Sequence, residues 1–335
     1  MQKRRFLCVW TANLLAAALL AVPAAAAELI PMGQAVGIEA ATDGLLVSGF
    51  TEVETPEGAV SPAKDAGLRV GDVISTVDGK PVATAEDLQE ALSGAGAQAV
   101  VRVDRGGLEK RFTVHFAFPE GGGAQMGVML RDGITGIGTV TYCDPATGAY
   151  GALGHGVADE ESGALLPIKS GTLTRADISG VKSAGDGAAG SLLGSFADGE
   201  SFGDVEENTV FGIFGALTET PALPCAETLP DAEIQPGPAV IRSTVSGGEA
   251  REYDVTIDRV YREDGCTRFL LTVTDEALLA EAGGIVQGMS GSPILQNGKL
   301  AGAVTHVLLE DSTRGYGVSI DTMLNAAQTA EDNAA

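Results

Sequence analysis

Residues 288–304, GMSGSPILQNGKLAGAV, decide the fold of the second half of the chain. A serine flanked by glycines is followed by an apolar run, an Asn-Gly pair and another run of small apolar residues. An Asn-Gly pair between two such runs predicts a tight β-hairpin. Gly288 and Gly291 let the backbone turn sharply around Ser290, so that neighbouring amide N–H groups can point at one spot. The stretch therefore predicts two antiparallel strands preceded by a glycine-rich loop that presents a hydroxyl group.

The composition predicts two β-rich domains. The chain has 335 residues, of which 45 are acidic, 21 are basic and 46 are glycine, while 5% are aromatic. That length suits two domains with a core each, and many glycines with few aromatics are typical of a turn-rich β fold. The formal net charge of −24 repels phosphate groups. It therefore excludes broad electrostatic binding to nucleic acid or to anionic lipid.

Residues 1–27 have the pattern of an export signal. Three basic residues at positions 3–5 precede an apolar run over residues 6–22, and Pro23 with four alanines supplies a cleavage region. This order is typical of secretion signals, and the run is also long enough to act as an uncleaved membrane anchor. We expect export across the cytoplasmic membrane, with cleavage after Ala26 or Ala27. Three cysteines remain in the exported part, which allows one disulfide at most.

Residues 29–118 form the first expected domain. The segment 63–82, AKDAGLRVGDVISTVDGKPV, contains an Asp-Gly turn between apolar runs. This string resembles PDZ domains of the bacterial, protease-associated kind. The resemblance implies an α+β domain that binds an extended peptide by strand addition, with loop amides receiving a terminal carboxylate. By position it assigns the peptide-binding edge to Val36, Gly37 and Ile38.

A second domain of short strands, a sandwich or a pair of barrels, is expected over residues 127–325. The glycine-rich residues 119–126 are expected to be the linker before it. A disordered acidic-alanine tail is expected after it, over residues 326–335.

The stretch around Ser290 resembles the segment G-x-S-G-x-P…N-G-x-L-x-G-x-V of chymotrypsin-like serine proteases. This resemblance implies a mainly β chain, in which the small α+β PDZ domain is followed by a chymotrypsin-like double β-barrel peptidase domain. Ser290 would be the nucleophile, and the N–H groups of Gly288 and Ser290 would form the oxyanion hole. Ser292 is the rival nucleophile, at a position where the pattern has a small structural residue. The resemblance also implies a strand that pairs with the substrate backbone, made of Thr305, His306 and Val307.

A serine nucleophile needs a base, and the chain has three histidines. His155 lies in YGALGHGV, where glycines on both sides suit an exposed imidazole at a strand end. His115 belongs to the first domain, and His306 falls on the expected substrate strand. His155 is therefore the expected general base.

The carboxylate that would orient this base is less clearly marked. Asp275 ends an apolar run fifteen residues before Ser290, and it can equally cap the short helix that follows. Chymotrypsin-like enzymes in general carry the acid much farther upstream. Asp144 and Asp159 remain alternatives, both close to His155 in sequence.

A more particular resemblance joins these features. An export signal, an N-terminal PDZ domain, and the strings YGALGH (150–155), FGIFG (211–215) and GGIVQGMSGSPI (283–294) together resemble the stage IV sporulation protein B family of serine peptidases. The resemblance implies a His-Asp-Ser triad of His155, Asp275 and Ser290. It also implies cleavage of a membrane-associated regulatory protein between the forespore and mother-cell membranes, as part of sporulation signalling, and self-cleavage near the N-terminus. The PDZ ligand would be a peptide of the substrate or of the chain itself, and no cofactor or metal is expected.

Two other functions compete with a signalling peptidase. One is a non-catalytic scaffold, in which a PDZ domain is fused to an inactive protease-like domain. The other is a quality-control protease of the high-temperature-requirement type, where the protease domain comes before the PDZ domains. Trypsin-like specificity is not expected, because Gly284 offers no carboxylate to a basic side chain. Met289 stands where trypsin-like enzymes carry the acidic residue of their activation switch.

Overall fold

The computed structural model describes residues 27–158, 163, 165–183 and 189–334. Nearly all of the expected export signal, and the alternative acid Asp159, lie outside these residues. No helix within the described part of the chain is both long enough and apolar enough to cross a membrane.

The described residues form twenty strands and four helices. In chain order the strands are β1 (Glu28–Pro31), β2 (Ala35–Phe50), β3 (Val53–Thr55), β4 (Gly58–Val60), β5 (Val73–Val77), β6 (Lys80–Pro81), β7 (Gln98–Asp104), β8 (Glu109–His115), β9 (Val128–Cys143), β10 (Ala149–Ala152), β11 (Ile168–Lys182), β12 (Ser191–Thr209), β13 (Gly212–Leu217), β14 (Ala226–Glu227), β15 (Gly237–Ser243), β16 (Arg251–Glu263), β17 (Cys266–Val273), β18 (Pro293–Gln296), β19 (Lys299–Leu308) and β20 (Asp311–Ser319). The helices are α1 (Pro62–Asp65), α2 (Ala85–Ser93), α3 (Glu276–Ala282) and α4 (Ile320–Ala334).

Six strands close into a first barrel. Each is antiparallel to its neighbours in a ring that runs β9, β10, β13, β12, β11, β2 and back to β9. Alternate side chains point inward, as the two-residue period of a strand requires. Val36, Val140, Leu173 and Ile213 are fully buried in this core.

A second barrel is closed by β15, β16, β17, β20, β19 and β18. Its core contains Phe269, Ile257 and Ile294, all fully buried. The hairpin predicted from the Asn-Gly pair is the one between β18 and β19. Both Asn297 and Gly298 have positive φ, 54° and 77°, as a two-residue turn between twisted strands requires. The two antiparallel barrels confirm the predicted double-barrel fold.

The PDZ unit is an insertion in the first barrel. The chain enters the barrel along β2, continues into the PDZ sheet of β2, β5, β7 and β8, and returns to the barrel along β9. Helix α2 starts at Thr84, whose hydroxyl accepts the Asp87 N–H at 3.2 Å while the Asp87 carboxylate accepts the Thr84 N–H at 3.0 Å. This reciprocal cap fixes the start of the helix. Leu88 and Ala91 then pack into the PDZ core.

The insertion changes the expected start of the first domain and its peptide-binding edge. Strand β1 pairs with β9 and β14, and the first half of β2 pairs with β9 and β11. Residues 28–41 therefore build the peptidase barrel, not the PDZ sheet. Val36, Gly37 and Ile38 are buried and have strand partners on both sides. The assignment of these three residues to peptide binding is wrong for this reason: their backbone has no free edge to offer.

Residues 326–334 continue helix α4, where a disordered tail was expected. The helix starts at a cap, since the Thr322 N–H donates to the Ser319 hydroxyl at 3.2 Å. Ile320 and Met323 are fully buried against β19 and β20, and Ala326 and Ala327 pack beside them. The apolar face of the first turns supplies the contact that a count of alanine and acidic residues does not reveal.

Candidate active site

Ser290 lies on the tight loop that leads into β18. Gly288 and Gly291 have φ of +99° and +95°, a region that favours glycine. A Cβ on residue 291 would collide with the carbonyl oxygen of Thr139 and would lie 2.5 Å from the backbone nitrogen of Leu153. Only glycine therefore allows the loop to lie directly against the first barrel.

Thr139 on β9 holds this loop in place. Its hydroxyl donates to the Gly288 carbonyl at 2.8 Å and its N–H donates to the Ser290 carbonyl at 2.9 Å. Its own carbonyl accepts the Leu153 N–H at 3.2 Å. Thr139 is fully buried, so a missing partner would leave a polar group unsatisfied at a cost of about 1–3 kcal/mol. One residue thus ties the serine loop to the turn that precedes His155.

His155 follows β10 on a turn with two left-handed residues, Leu153 and Gly154, each with φ of 68°. A Cβ on Gly154 would lie 3.1 Å from the Thr305 methyl group and 3.2 Å from the Ala303 Cβ. The turn is therefore packed directly against β19 of the second barrel. This contact brings the imidazole, which is on the first barrel, to the serine loop, which is on the second.

The tautomer of His155 is set by a backbone carbonyl. Its Nδ1 lies 2.9 Å from the Gly156 carbonyl oxygen. A carbonyl oxygen only accepts hydrogen bonds, so in the neutral ring Nδ1 carries the proton and Nε2 keeps the lone pair. A general base that takes a serine proton through Nε2 needs this tautomer.

His306 stacks on His155. The ring centroids are 4.5 Å apart and the planes are inclined by 34°. Burial lowers the pKa of His155 below its usual value of 6.5, although the bond to Gly156 opposes the shift. Burial, and then the nearby His155, lower the pKa of His306 to about 4. Both rings are therefore neutral at neutral pH.

Ser290, His155 and His306 line one cavity of about 940 Å³ between the two barrels and the PDZ unit. Its wall also includes apolar side chains from both barrels and from the PDZ unit: Ile38, Leu46, Val70, Ile134, Ile137, Val157, Ile285 and Val307. Arg131 is the one residue with a full charge among the described residues that line it. The cavity therefore favours apolar segments, and none of its described lining residues offers a carboxylate to a basic side chain.

Two N–H groups of the serine loop have no hydrogen-bond acceptor among the described residues. The N–H of Met289 donates to the Val286 carbonyl and the N–H of Gly291 donates to the Val304 carbonyl. No described residue accepts a hydrogen bond from the N–H groups of Gly288 or Ser290. These are the two donors that the sequence assigned to the oxyanion hole.

Ser292, the rival nucleophile, and Asp144, one of the alternative acids, form hydrogen bonds outside the cavity. Ser292 is fully buried, and its hydroxyl donates to the Ser243 hydroxyl at 2.9 Å. Asp144 accepts the Ala146 N–H at 2.7 Å in the turn before β10. Neither residue is among those that line the cavity.

Asp275 is the N-terminal cap of α3. One carboxylate oxygen accepts the Leu278 N–H at 2.9 Å and the other accepts the Asp254 N–H at 3.3 Å. Asp275 is not among the cavity residues, and the described hydrogen bonds of His155 include no carboxylate. The structure therefore does not bring Asp275 to His155 as the implied triad requires, and it assigns the capping role that the sequence also allowed.

The expected substrate strand lies beside the serine. Thr305, His306 and Val307 are in β19 after its pairing with β18 has ended, and all three line the cavity. A register shift between Val304 and Val307 interrupts the pairing with β20. On the β18 side no described strand pairs with residues 305–307, so this side can take another extended chain. On the other side Val307 pairs with Gly315 of β20, and the Thr305 carbonyl accepts the Ser290 hydroxyl.

Sequence reasoning missed an open edge in the PDZ unit. Residues 128–130 of β9 pair with β2 on one side, and no strand of the described chain pairs with them on the other. They follow the glycine-rich residues 121–127, and Val128 and Leu130 pack against the same core as Leu88 of α2. A glycine-rich loop followed by a strand edge without a described partner is the arrangement by which PDZ domains bind a peptide. The signal was the string GGGAQMGVML (121–130), of which the sequence analysis assigns residues 121–126 to the linker and residues 127–130 to the second domain.

Asn208 is a second residue that sequence reasoning missed. Its side-chain amide donates to the Val157 carbonyl at 2.7 Å and to the Leu166 carbonyl at 2.9 Å. Its side-chain oxygen accepts the Val157 N–H at 2.9 Å. Asn208 thereby holds the chain two residues after His155. Nothing in its sequence context marks this role, because both partners are backbone groups distant in the chain.

Comparison with known proteins assigns the chain to a family. Residues 122–324 match the model of the SpoIVB peptidase S55 family, and residues 57–105 match a PDZ domain model. A search of curated proteins found no match. Among solved structures, the Rv3671c protease of M. tuberculosis is similar in its active form, with 14% identity and a TM-score of 0.33 over 58% of this chain and 73% of that one. An inactive form of the Rv3671c protease has the same identity and TM-score, over 58% of this chain and 83% of that one. Since the family model spans more than half of the residues, the chain belongs to the SpoIVB peptidase S55 family, and it is a serine peptidase that carries a PDZ domain.

Proposed function

We propose that the chain is an exported endopeptidase that makes limited cuts in a membrane-associated regulatory protein, with Ser290 as nucleophile and His155 as general base. The observation that carries the proposal is that both side chains line one cavity together with Gly288, and that the N–H groups of Gly288 and Ser290 have no acceptor among the described residues. This is the set of groups that acyl transfer needs: a nucleophile, a base and two oxyanion donors.

Before the reaction starts, the Ser290 hydroxyl has to exchange one hydrogen-bond acceptor for another. The Ser290 hydroxyl now donates to the Thr305 carbonyl, and it has to turn to Nε2 of His155 before attack. His155 then accepts the proton, with Nδ1–H held by the Gly156 carbonyl. The N–H groups of Gly288 and Ser290 stabilise the tetrahedral oxyanion, each by about 3 kcal/mol. His155 gives the proton to the leaving amine, which leaves the acyl group on Ser290 as an ester. His155 then takes a proton from a water that attacks this ester, and it returns the proton to Ser290 as the acid product leaves.

Asp275 acts on the site through a helix in this proposal. Its carboxylate caps α3, and the C-terminal end of α3 leads through Gly283 and Gly284 into the serine loop. The Ser312 carbonyl accepts the Ile285 N–H at 2.8 Å, which holds the segment between them. Loss of the cap would loosen the start of this segment and misplace Ser290. Asp275 is thus a positioning residue, which explains why the resemblance marks it without a contact to His155.

The substrate is a protein with apolar residues around the cut. The apolar cavity wall, and a glycine at position 284, leave a basic side chain without a partner. Thr305, His306 and Val307 would pair with the residues before the cut. The PDZ unit would bind a peptide of the substrate, or of this chain, at residues 128–130. The family resemblance and the export signal support a role outside the cytoplasmic membrane, between forespore and mother cell in sporulation signalling, with self-cleavage near the N-terminus.

The proposal is tested by mapping new termini. The wild-type protein and the Ser290→Ala variant are incubated with the ectodomain of a candidate membrane-associated regulator, and the products are analysed by mass spectrometry. The proposal predicts one or two defined cuts that disappear in the Ser290→Ala and His155→Ala variants. Extensive degradation of unfolded casein with no preferred cut would favour a quality-control protease instead.

A further inference from the structure

The PDZ unit and the first barrel share two strands of equal length, β2 and β9, and β9 passes the active site. Its residues 133–139 pair with residues 35–41 of β2 without a register shift, and its residues 128–131 pair with residues 46–50 inside the PDZ unit. One edge of β9 is thus occupied by β2 along this whole stretch. The other edge of β9 extends from Thr139, at the serine loop, to residues 128–131 in the PDZ unit.

The direction of the backbone groups on that other edge follows from Thr139. Its N–H donates to the Ser290 carbonyl and its carbonyl accepts the Leu153 N–H, so both groups point away from β2. In contrast, the Val140 N–H donates to Gln34, on the side of β2. Because N–H and C=O groups alternate between the two edges of a strand, those of Ile137, Thr135 and Gly133 also point away from β2.

These groups face the cavity and are free in the described part of the chain. Gly133, Thr135 and Ile137 line the same cavity as Ser290 and His155. No described strand pairs with this stretch of β9 on the side away from β2. A Cβ on Gly136 would have no atom within 4 Å, so the face of the strand is open at this position. A free edge of this kind is a template for an added strand.

We propose that the edge of β9 from Ile137 to Gly133 binds, by strand addition, the substrate segment that follows the scissile bond and leads it to the PDZ unit. The inference rests on the proposed function, in which Thr305–Val307 of the other barrel take the residues before the cut. Thr139 of β9 bonds to the Ser290 carbonyl and Thr305 of β19 bonds to the Ser290 hydroxyl, so both strands reach the serine. With the residues before the cut on β19, the proposal assigns the residues after the cut to the edge of β9.

The geometry sets the length of substrate that the site requires. The nine steps from Ile137 to Val128 span roughly 30 Å at the rise of a β-strand. A peptide with two residues after the cut ends beside Ile137, whereas one with eight or nine reaches the open PDZ edge at residues 128–130. The preferred substrate is therefore an extended segment with a long C-terminal portion. Arg131, exposed on this path, favours an acidic residue in that portion.

The test measures how cleavage depends on the length of the substrate, first in the wild type and then in a variant whose β9 backbone lacks one N–H group. A peptide cut in a Ser290-dependent manner is first selected from a digest of a bacterial lysate by mass spectrometry. It is then synthesised with eight residues after the cut and with two. Thr135→Pro removes the outward N–H and leaves the pairing with β2 in place, since proline is tolerated on a free edge. Thr135→Val keeps the N–H and is the matched control.

We expect kcat/KM of the wild type to be about tenfold higher for the long peptide, the effect of one or two added hydrogen bonds. Thr135→Pro should lower the ratio of kcat/KM between the long and the short peptide to about one, while Thr135→Val should keep the ratio of the wild type. Equal cleavage of both lengths by the wild type would overturn the inference. So would an equal loss for both peptides in Thr135→Pro when its rate of fluorophosphonate labelling is unchanged.

A measurement on the wild type alone keeps the test decisive if Thr135→Pro does not fold. Long peptides are methylated at one backbone nitrogen after the cut, position by position. Strand addition predicts that methylation weakens cleavage at every second position, because alternate N–H groups face β9. A uniform effect, or none, would overturn the inference. Absence of any Ser290-dependent cut together with absence of labelling would instead refute the proposed function.

Discussion

The hydroxyl of Ser290 donates a hydrogen bond of 2.6 Å to the backbone carbonyl of Thr305. The nucleophile is therefore held by the second barrel, while Nε2 of His155, on the first barrel, has no hydrogen-bond partner among the described residues. Thr305 belongs to the strand proposed to pair with substrate. An extended substrate on that strand would lie beside this hydrogen bond, so substrate binding and the turn of the serine towards His155 are coupled in this account.

The first prediction concerns Thr139, which joins the serine loop to the His155 turn. Thr139→Val removes the hydroxyl and leaves the buried Gly288 carbonyl without its donor. We expect kcat to fall about tenfold with KM little changed, because a misplaced oxyanion hole acts in the transition state. Steady-state kinetics on a defined peptide measure both constants.

The control for this prediction is Thr139→Ser, which retains the hydroxyl and should recover most of the activity. If Thr139→Val and Thr139→Ser lose activity to the same extent, the lost methyl packing would account for the effect and the positioning role would be refuted.

The second prediction concerns pH. Burial lowers the pKa of His155 below its usual value of 6.5, and the base is active only when neutral. The acid limb of kcat/KM should therefore lie below pH 6.5. His306→Ala exposes the face of His155 that the second ring covers, which should move the limb upward. A limb above pH 7 in the wild type would contradict the assignment of His155.

The pH dependence of the free energy of unfolding should arise in part from the same two histidines, His155 and His306. Their folded-state pKa values are lowered, to about 4 for His306, so the unfolded chain binds more protons as the pH falls through 6.5. The free energy of unfolding should therefore decrease between pH 6.5 and 4. His306→Gln should reduce this dependence. Denaturant unfolding at pH 7 and pH 5 tests the prediction, and an identical pH dependence in the variant would contradict it.

The third residue to test is Asp275. As a helix cap it can be replaced by Asn or Ser with little loss, since both cap helices well. We expect Asp275→Asn and Asp275→Ser to keep activity within about threefold, and Asp275→Leu to lose it together with about 1 kcal/mol of stability. A direct triad carboxylate predicts a different pattern, with Asp275→Asn lowering kcat by about 10⁴-fold. Single-turnover kinetics of the three variants distinguish the two roles.

Gly291 provides a prediction on the fold of the site. Gly291→Ala places a methyl group against the Thr139 carbonyl and demands a φ of +95° from a residue with a Cβ. We expect a loss of more than 1 kcal/mol in the free energy of unfolding. Gly298→Ala is the matched control, because its Cβ would meet nothing within 4 Å. Equal losses in the two variants would show that backbone strain alone is responsible.

Much of the active site was predictable because its signals are local. The Ser290 loop, the hairpin after it and the His155 turn are each encoded by glycines and turn residues within a few positions. The connection between them was not predictable. Thr139 joins two loops through hydrogen bonds between residues 149 positions apart in the chain, and a buried threonine in a strand carries no sequence mark of such a role.

The error in the PDZ edge has a physical cause as well. Residues 35–50 form one continuous strand, so the first half can serve the barrel while the second half serves the PDZ sheet. A sequence pattern describes the alternation of side chains along a strand and says nothing about which sheet pairs with its edges. The free edge instead lies at the start of β9, after a glycine-rich segment that resembled a linker.

The most direct test of the account is the rate at which a fluorophosphonate modifies the protein, with the modified peptide identified by mass spectrometry. The account predicts a single label on Ser290 and no label in Ser290→Ala. It also predicts a rate at least a hundredfold lower in His155→Ala, the scale of a general-base contribution. Labelling of another serine, or an unchanged rate in His155→Ala, would contradict the catalytic pair.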